Sequence, residues 1–486
     1  MKIGTGALLL TTVALWGGPA EPTALQLTSG NTALLFGGTD AEGGIGDWYV
    51  SNGVVEAIID NVGTAQDLVP LLGAGAPPIQ SEINFTGGTF IDLGRVGEND
   101  DQLPQMFTVG GLSTSNFLLY DTIGAVGSDT IRVSGTILFP PTSTRQNPCL
   151  TVVTDYTAAG SDPFLTVTST ATNGCGANLA NFGGFLDVFI WTLRGLIPFS
   201  GGGAPPPGGK GFNHPVLNLA NPLLAVELPT FMAAPGLVVP ADGIMDTANN
   251  TTSGEVSYGL LGVEVAVDPD GPGGSAPTVT PVDSLFGVSS TLVTALGNFP
   301  VSDGTPAGGT LTYTRRLYVG THNDVRSAAN GMIGALASRI PFSTGTISGN
   351  VDAADAANVE ATILITRIGR CQANSSLSCK TNAACGSSGP CADPVPTPGQ
   401  AVNSALSQVR TDAFGAFSGV VLPQGDYELR VSSAERDDVV VSPVVVGSGN
   451  TAVTIPPLSA RGTVVFTVRE KTKGTPLIRR SSPSRA

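Results

Sequence analysis

Four of the six cysteines in this 486-residue chain fall in one short stretch, "CQANSSLSCKTNAACGSSGPC" at 371–391. Clustered thiols can clamp a metal or pair as disulfides. The spacing C-x7-C-x5-C-x5-C lacks the close C-x2-C pairs that hold zinc, and no histidine stands near to complete a site. Cys371, Cys379, Cys385 and Cys391 are therefore expected to form two disulfides, with connectivity left open by the spacing. Leu377 is the largest apolar residue among them, so the stretch reads as a stapled surface loop. Cys149 and Cys175 flank two adjacent strand-like runs, "LTVVTDYTA" and "FLTVTSTAT", and should meet at one sheet end. A bridge closing a loop of that size class is worth roughly 3 kcal/mol.

Catalytic chemistry has little to draw on. The chain holds two histidines, His214 in a Gly/Pro-rich loop and His322 at the start of a helical stretch. Nucleophilic catalysis by Ser and His needs a base within reach of an activated hydroxyl. No G-x-S-x-G elbow occurs in strand-turn-helix context, since "GGLSTSN" and "GSSGP" read as loops. A glycosidase needs only two carboxylates, but Asp47, Glu255 and Glu264 read as turn or surface acids and receive no catalytic role. Asp268 and Asp270 sit in an acidic turn without the downstream Glu of a calcium loop, so no metal and no cofactor is assigned. Sugar binding asks for less, namely aromatic faces with polar groups alongside. Trp48, Tyr49 and Tyr258 are the candidate ligand-binding residues, with Trp191 as a further aromatic; the alternative for each is a place in the core or rim of a sandwich.

The elements that would carry these residues are strands. Gly (64) and Pro (36) are abundant while charged residues make up 13%, which suits short strands joined by many turns. Residues 25–343 hold runs of Val, Ile, Thr, Tyr and Phe that alternate with polar residues: "TIRVSGTILF", "CLTVVTDYTA", "PFLTVTSTAT", "EVSYGLLGVEVAV" and "LTYTRRLYVG". "DWYVSNGVVEAII" places "SNG" between two such runs, a hairpin signal. "FSGGGAPPPGGKGFNHP" and "DPDGPGGSAP" are long loops. In "HNDVRSAANGMIGALASRI" (322–340), Val325, Ala328, Ala329, Met332, Ile333 and Leu336 share one helical face, with Asn323 as a cap.

Two resemblances follow. "GDWYVSNGVVEAII", "LTVTSTATN" and "LTYTRRLYVGTHNDVRSAAN" resemble, in their order along the chain, the β-supersandwich domains of the galactose-mutarotase-like class in secreted bacterial proteins. That class epimerises sugars with a His acid and a Glu base; neither histidine here lies in a matching pattern. Residues 344–460 look like the carboxypeptidase regulatory-like fold, a transthyretin- or CnaB-type β-sandwich. The carrying residues are Gly345, Gly349 and Val351, then Thr411, Asp412, Gly415 and Phe417, then Pro423, Gly425, Tyr427 and Leu429. Asp412 and Gly415 should make a tight turn, Phe417 should fill the core, and Pro423 with Gly425 should fix the corner before Tyr427. The fold class expected is all-β: a large supersandwich, one short helix, then a small Ig-like sandwich with the Cys-rich insertion.

At the ends, Lys2 with "IGTGALLLTTVALW" and the small residues Ala20 and Ala24 reads as a secretory signal over 1–24. Residues 461–486 begin another strand unit and pass into a basic "IRRSSPSRA" tail, which reads as out-of-frame or otherwise truncated sequence, the alternative being an ordinary flexible basic tail. Similar openings lead into metal-dependent hydrolase domains of the polymerase-and-histidinol-phosphatase type, which would make this chain their accessory part. A net charge of -15 with no Lys/Arg cluster argues against nucleic acid, and no later stretch has the ~20 apolar residues of a spanning helix. The expectation is an exported, bacterial-type binding and scaffolding protein, secreted or on the cell surface, with carbohydrate or a cell-surface polymer as partner. The alternative is an enzyme of the mutarotase or lyase supersandwich class.

Overall fold

The computed structural model describes residues 22–38, 41–62, 65–67, 78–80, 87–99, 101, 105–110, 118–137, 149–178, 185–190, 236–241, 245–246, 251–252, 256–271, 276–281, 285–286, 292–297, 307–321, 324–339, 341–355, 359–395, 402–403, 405–433, 436–460, 465–469 and 476–481. The chain is all-β, with strands predominating and a single long helix among the described residues.

The alternation read from the sequence becomes the faces of an eight-stranded antiparallel sheet. Its main path runs Gly236–Ala241, Val256–Asp268, Thr310–Gly320, Phe164–Asn173, Leu150–Thr157, Thr130–Ile137, Leu118–Ala125, and Thr278–Pro281 pairs with the second of these. In Leu150–Thr157 every second side chain is buried, Leu150, Val152, Thr154 and Tyr156 in turn, because a strand's side chains alternate between faces. A four-stranded sheet holds Thr23–Gln26, Trp48–Ser51, Val55–Ile59 and Phe90–Arg95, and the "SNG" stretch joins its middle hairpin with Gly53 at φ 83°. A further sheet pairs Phe185–Ile190 with Gln105–Gly110 and Leu292–Gly297. Val50, Ile59 and Phe90 meet Met106 and Phe185, and Tyr156, Val167 and Leu317, in one core, so the three sheets form a single sandwich.

Alternation fails where the eight-stranded sheet is covered on both faces. Residues 256–262 and 317–320 are buried without a break. Leu260 and Leu317 point into the sandwich, whereas Leu261 and Tyr318 meet Ala328, Ala329, Met332 and Leu336 of the helix Val325–Arg339. A strand buried on both faces reads as a continuous apolar run. Gly259 permits the close approach: a Cβ there would stand 2.6 Å from the Met332 sulfur. The cap assigned to Asn323 lies outside the described residues, and Asp324 directly precedes the helix.

The small sandwich has two sheets. One runs Ala416–Pro423, Thr344–Asn350, Asn450–Thr454, the last two parallel. The other centres on Thr362–Cys371, which pairs with Gly425–Ser432 and Ala405–Arg410, with Val439–Val446 beyond. Ile347, Ile363, Ile365, Phe417, Tyr427 and Leu429 are part of their shared core. The turn before Phe417 forms as the sequence implies. Gly415 stands at φ 74° and donates to the Asp412 carbonyl at 3.0 Å, while Asp412 Oδ1 accepts from the Phe414 and Ala416 N–H groups at 2.9 and 2.8 Å. At the next corner the Tyr427 hydroxyl donates to the Pro423 carbonyl at 2.6 Å.

All six cysteines are paired: Cys149–Cys175, Cys371–Cys385 and Cys379–Cys391. The last two interleave, closing separations of 14 and 12 residues over the 371–391 insertion. Ion pairs of Arg370 with Asp426 and of Lys380 with Glu428 fasten that insertion to the sandwich sheet.

Candidate functional site

Among the described residues the largest fully buried side chains are two arginines, one in each sandwich. Arg315 donates from Nη2 to Asp187 Oδ1 at 2.8 Å and to Thr108 Oγ1 at 2.9 Å, and from Nη1 to Ser169 Oγ at 2.8 Å. Ser169, Thr154 and the Tyr120 hydroxyl continue the network at 2.8 and 2.7 Å. Burial pushes the Tyr120 hydroxyl above its usual range, so it stays a neutral hydrogen-bonding group. Arg315 and Asp187 are both inaccessible to solvent, so their network ties sheet to sheet and meets no ligand from outside. Arg367 is likewise buried in the small sandwich, where it reaches Asp393, the hydroxyl of Tyr427 on the paired strand and the Gln424 carbonyl.

A buried group of carboxylates lies at the edge of the large sandwich. Asp92 accepts from the Glu42 and Gly43 N–H groups at 2.7 and 2.9 Å, and Asp47 accepts from Gly44 and Asn61 at 2.7 and 3.0 Å. Burial first, and then the charge of Asp47, raises Asp92 to about 7 against the lowering effect of its two backbone donors. Burial likewise raises Asp47. These acids pin the 42–47 loop to the sheet.

Among the described residues, an accessible polar site lies on the seam between helix and small sandwich. Ala416–Pro423 is an edge strand whose outer backbone groups need partners. The helix supplies them. Arg326 Nη1 donates to the Ser418 carbonyl at 3.2 Å, and Asn330 Nδ2 donates to the Gly419 carbonyl at 2.7 Å while its Oδ1 accepts from Val421 N at 2.8 Å. At the helix start, buried Asp324 accepts from Arg410 N at 3.1 Å and pairs with Arg326 at 3.7 Å. These contacts leave two clefts side by side. One, of about 420 Å³, is lined by Arg326, Glu360, Arg410, Asp412 and Ser418 among others. The other, of about 350 Å³, is lined by Thr321, Arg326, Ser327, Ser418 and Gly419 among others. Arg326 and Ser418 line both, so the two clefts adjoin along the seam with the Arg326–Ser418 hydrogen bond between them. Phe414, 69% exposed, stands on the rigid turn whose Asp412 and Ala416 line the first cleft.

The aromatics singled out from sequence lie elsewhere. Tyr49 and Tyr258 are buried, their hydroxyls spent on Glu56 Oε2 at 2.8 Å and the Leu93 carbonyl at 3.1 Å. Trp48 is half-buried against the main core. Neither tyrosine ring presents a face to solvent: Tyr258 points into the main core, and Tyr49 lies on the other face of its sheet, covered by Leu27 and Phe36 beside Ile58 and Ile91. Glu264 is exposed on its strand, and Asp268 accepts from the Asp270 N–H at 3.2 Å in an ordinary turn. Trp191, His214, Glu255 and His322 lie outside the described residues. Phe414 and the seam arginines were not singled out by the sequence. The exposed phenyl was implicit in the "DAFG" turn, since a tight turn leaves its tip residue outside.

No family model matches this sequence, and no curated protein matches it either. Among solved structures the chain is similar to the Slr1438 protein of Synechocystis sp. PCC 6803, at 11% identity over 55% of this chain and 93% of that one, with a TM-score of 0.25. It is similar to a galactose mutarotase related enzyme from Lactobacillus acidophilus, at 9% identity over 57% and 98% of the two chains and a TM-score of 0.27. A GH36 α-galactosidase from Geobacillus stearothermophilus gives 9% identity over 59% of this chain and 41% of that one, with a TM-score of 0.25.

Proposed function

We propose that this chain is a secreted or cell-surface binding and scaffolding protein that works without a catalytic centre, and that its ligand is a carbohydrate or a cell-surface polymer. The observation that carries this reading is the polar groove on the seam. Its walls offer guanidinium, carboxylate, hydroxyl and backbone groups together, the mixture that a hydroxyl-rich ligand uses. Those walls belong to a helix and a strand fastened to each other, which suits a site preformed for binding. Three disulfides favour an oxidising compartment. The small sandwich, read as a carboxypeptidase regulatory-like module, supplies one wall and the stapled insertion.

The test is a glycan panel probed with the purified full chain, with a reducing-sugar assay on every hit. Binding without turnover is the expected result. Turnover would replace this reading with that of a supersandwich-class enzyme, and a panel without a single hit would end the carbohydrate assignment.

A further inference from the structure

The seam groove differs from an ordinary interdomain crevice in the balance of its charges and in what stands at its rim. The first cleft is lined by three acids, Asp324, Glu360 and Asp412, and by two arginines, Arg326 and Arg410. Asp324 and Arg326 pair with each other at 3.7 Å. Glu360 and Asp412 then share the cleft with Arg410. A polyanion entering would face the two carboxylates, and a polycation would face the guanidinium groups. Neutral hydroxyls can satisfy both, donating to carboxylates and accepting from guanidinium, since a hydroxyl is donor and acceptor at once. The second cleft adds Thr321 and Ser327, with backbone at Gly320 and Gly419, and no acid. On the turn between Asp412 and Ala416, which line the first cleft, Phe414 is 69% exposed and offers a ring to solvent, and the turn is held by hydrogen bonds of Asp412 and Gly415. An exposed aromatic beside convergent polar groups is the arrangement on which the apolar face of a sugar ring stacks.

From this we infer that the groove takes an uncharged, extended glycan lying across both clefts, with Phe414 as its stacking platform and Glu360 and Arg410 as its polar contacts. The inference rests on the carbohydrate reading above and adds the site, the charge class and the length of the ligand. Each cleft is near the lower end of the roughly 300–1,000 Å³ of small-ligand pockets. The two adjoin at the Arg326–Ser418 bridge, so a ligand that reaches both must pass over it and be longer than a single ring.

The experiment is calorimetric titration of the full chain with cello-, xylo- and malto-oligosaccharides from monomer to hexamer, beside oligogalacturonate and chitosan oligomers. At least one neutral series should bind, with affinity rising beyond the monomer, and the charged oligomers should not. Phe414→Ala and Glu360→Gln should each weaken that binding about five- to tenfold. Both residues are exposed, so the unfolding midpoint should stay in place, and Val279→Ala, an exposed site on a distant strand, should change nothing. Neutral glycans that bind the two groove variants as tightly as the parent, or that bind no better as oligomers than as monomers, would overturn this inference and leave the carbohydrate reading in place. Preferred binding of the charged oligomers would overturn the charge assignment. No binding by any series would overturn both.

Discussion

The Asn330 side chain takes the place of a neighbouring strand for Val421. Its Oδ1 accepts from the Val421 N–H at 2.8 Å while its Nδ2 donates to the Gly419 carbonyl at 2.7 Å. One amide thus meets an edge strand with the donor-acceptor pair that a further strand would have offered. The consequence is mechanical. The helix that packs on the large sheet through Met332 and Leu336 also seals the small sandwich, and both walls of the groove depend on that joint.

Asn330→Ala should therefore uncouple the two sandwiches without unfolding either. It leaves the partly buried Val421 N–H without its acceptor, at a cost of about 1–3 kcal/mol. The expected outcome is faster proteolytic cleavage between helix and small sandwich, at residues 340–343, with calorimetric unfolding broadened or split. Asn330→Asp, which keeps the acceptor but sets a carboxylate against the Gly419 carbonyl, should behave like Asn330→Ala. Unchanged cleavage in both variants would mean that apolar packing alone holds the seam.

Arg315 and Asp187 should show strong coupling in a double-mutant cycle. Both are fully buried, and Asp187 Oδ2 and Arg315 Nε lack hydrogen-bond partners among the described residues, so removing either one strands a charge in the core. Arg315→Met or Asp187→Leu alone should cost about 3–5 kcal/mol in denaturant unfolding. The double substitution should recover most of that loss, since apolar pairs of similar volume often match a buried ion pair. Additive losses would show that the two groups act independently.

Much of this was legible in strand parity. In "LTYTRRLYVG", Leu311, Tyr313, Arg315 and Leu317 fall on one face, so the first arginine of the pair is inward and the second outward, as observed. The same count places Arg367 inside with Ile363 and Ile365. The partners were not legible: Asp187 lies 128 positions from Arg315, and nothing local ties them. The Asp412 turn, the hairpin at "SNG" and the Cys149–Cys175 bridge follow from neighbours in sequence, and each was readable for that reason. The seam was not, because the helix face that carries Arg326 and Asn330 reads as an ordinary solvated face. Aromatic type misled at Tyr49 and Tyr258, where chemistry suggested a ligand and burial shows core.

A peptide map under non-reducing conditions should recover Cys371 linked to Cys385 and Cys379 linked to Cys391. Intact mass should rise by two hydrogens per bridge on reduction. Loops of this length contribute roughly 3 kcal/mol each in the chain-entropy account. Reduction should therefore expose the insertion to proteases before the sandwich core, where Ile363, Ile365 and Leu429 pack without help from the thiols. Linkage of Cys371 to Cys379, or free thiols in the native protein, would contradict the fold of the insertion.

Asp92 predicts a pH dependence of opposite sign to that of a salt-bridged carboxylate. Its ordinary value of 3.8 is raised to about 7 in the folded chain, by burial above all. Between those limits the folded state holds a proton that the unfolded state has released. Stability should then fall as pH rises from about 4 to about 7 and level off on either side, by a few kcal/mol at most. Asp92→Asn keeps a neutral group of the same shape facing the Glu42 and Gly43 N–H groups, and it should flatten that slope while weakening the hold on the 42–47 loop. Chemical denaturation of both proteins across this range is the measurement. A parent whose stability rises with pH in that window would show that the two backbone donors outweigh burial and keep the buried carboxylate charged.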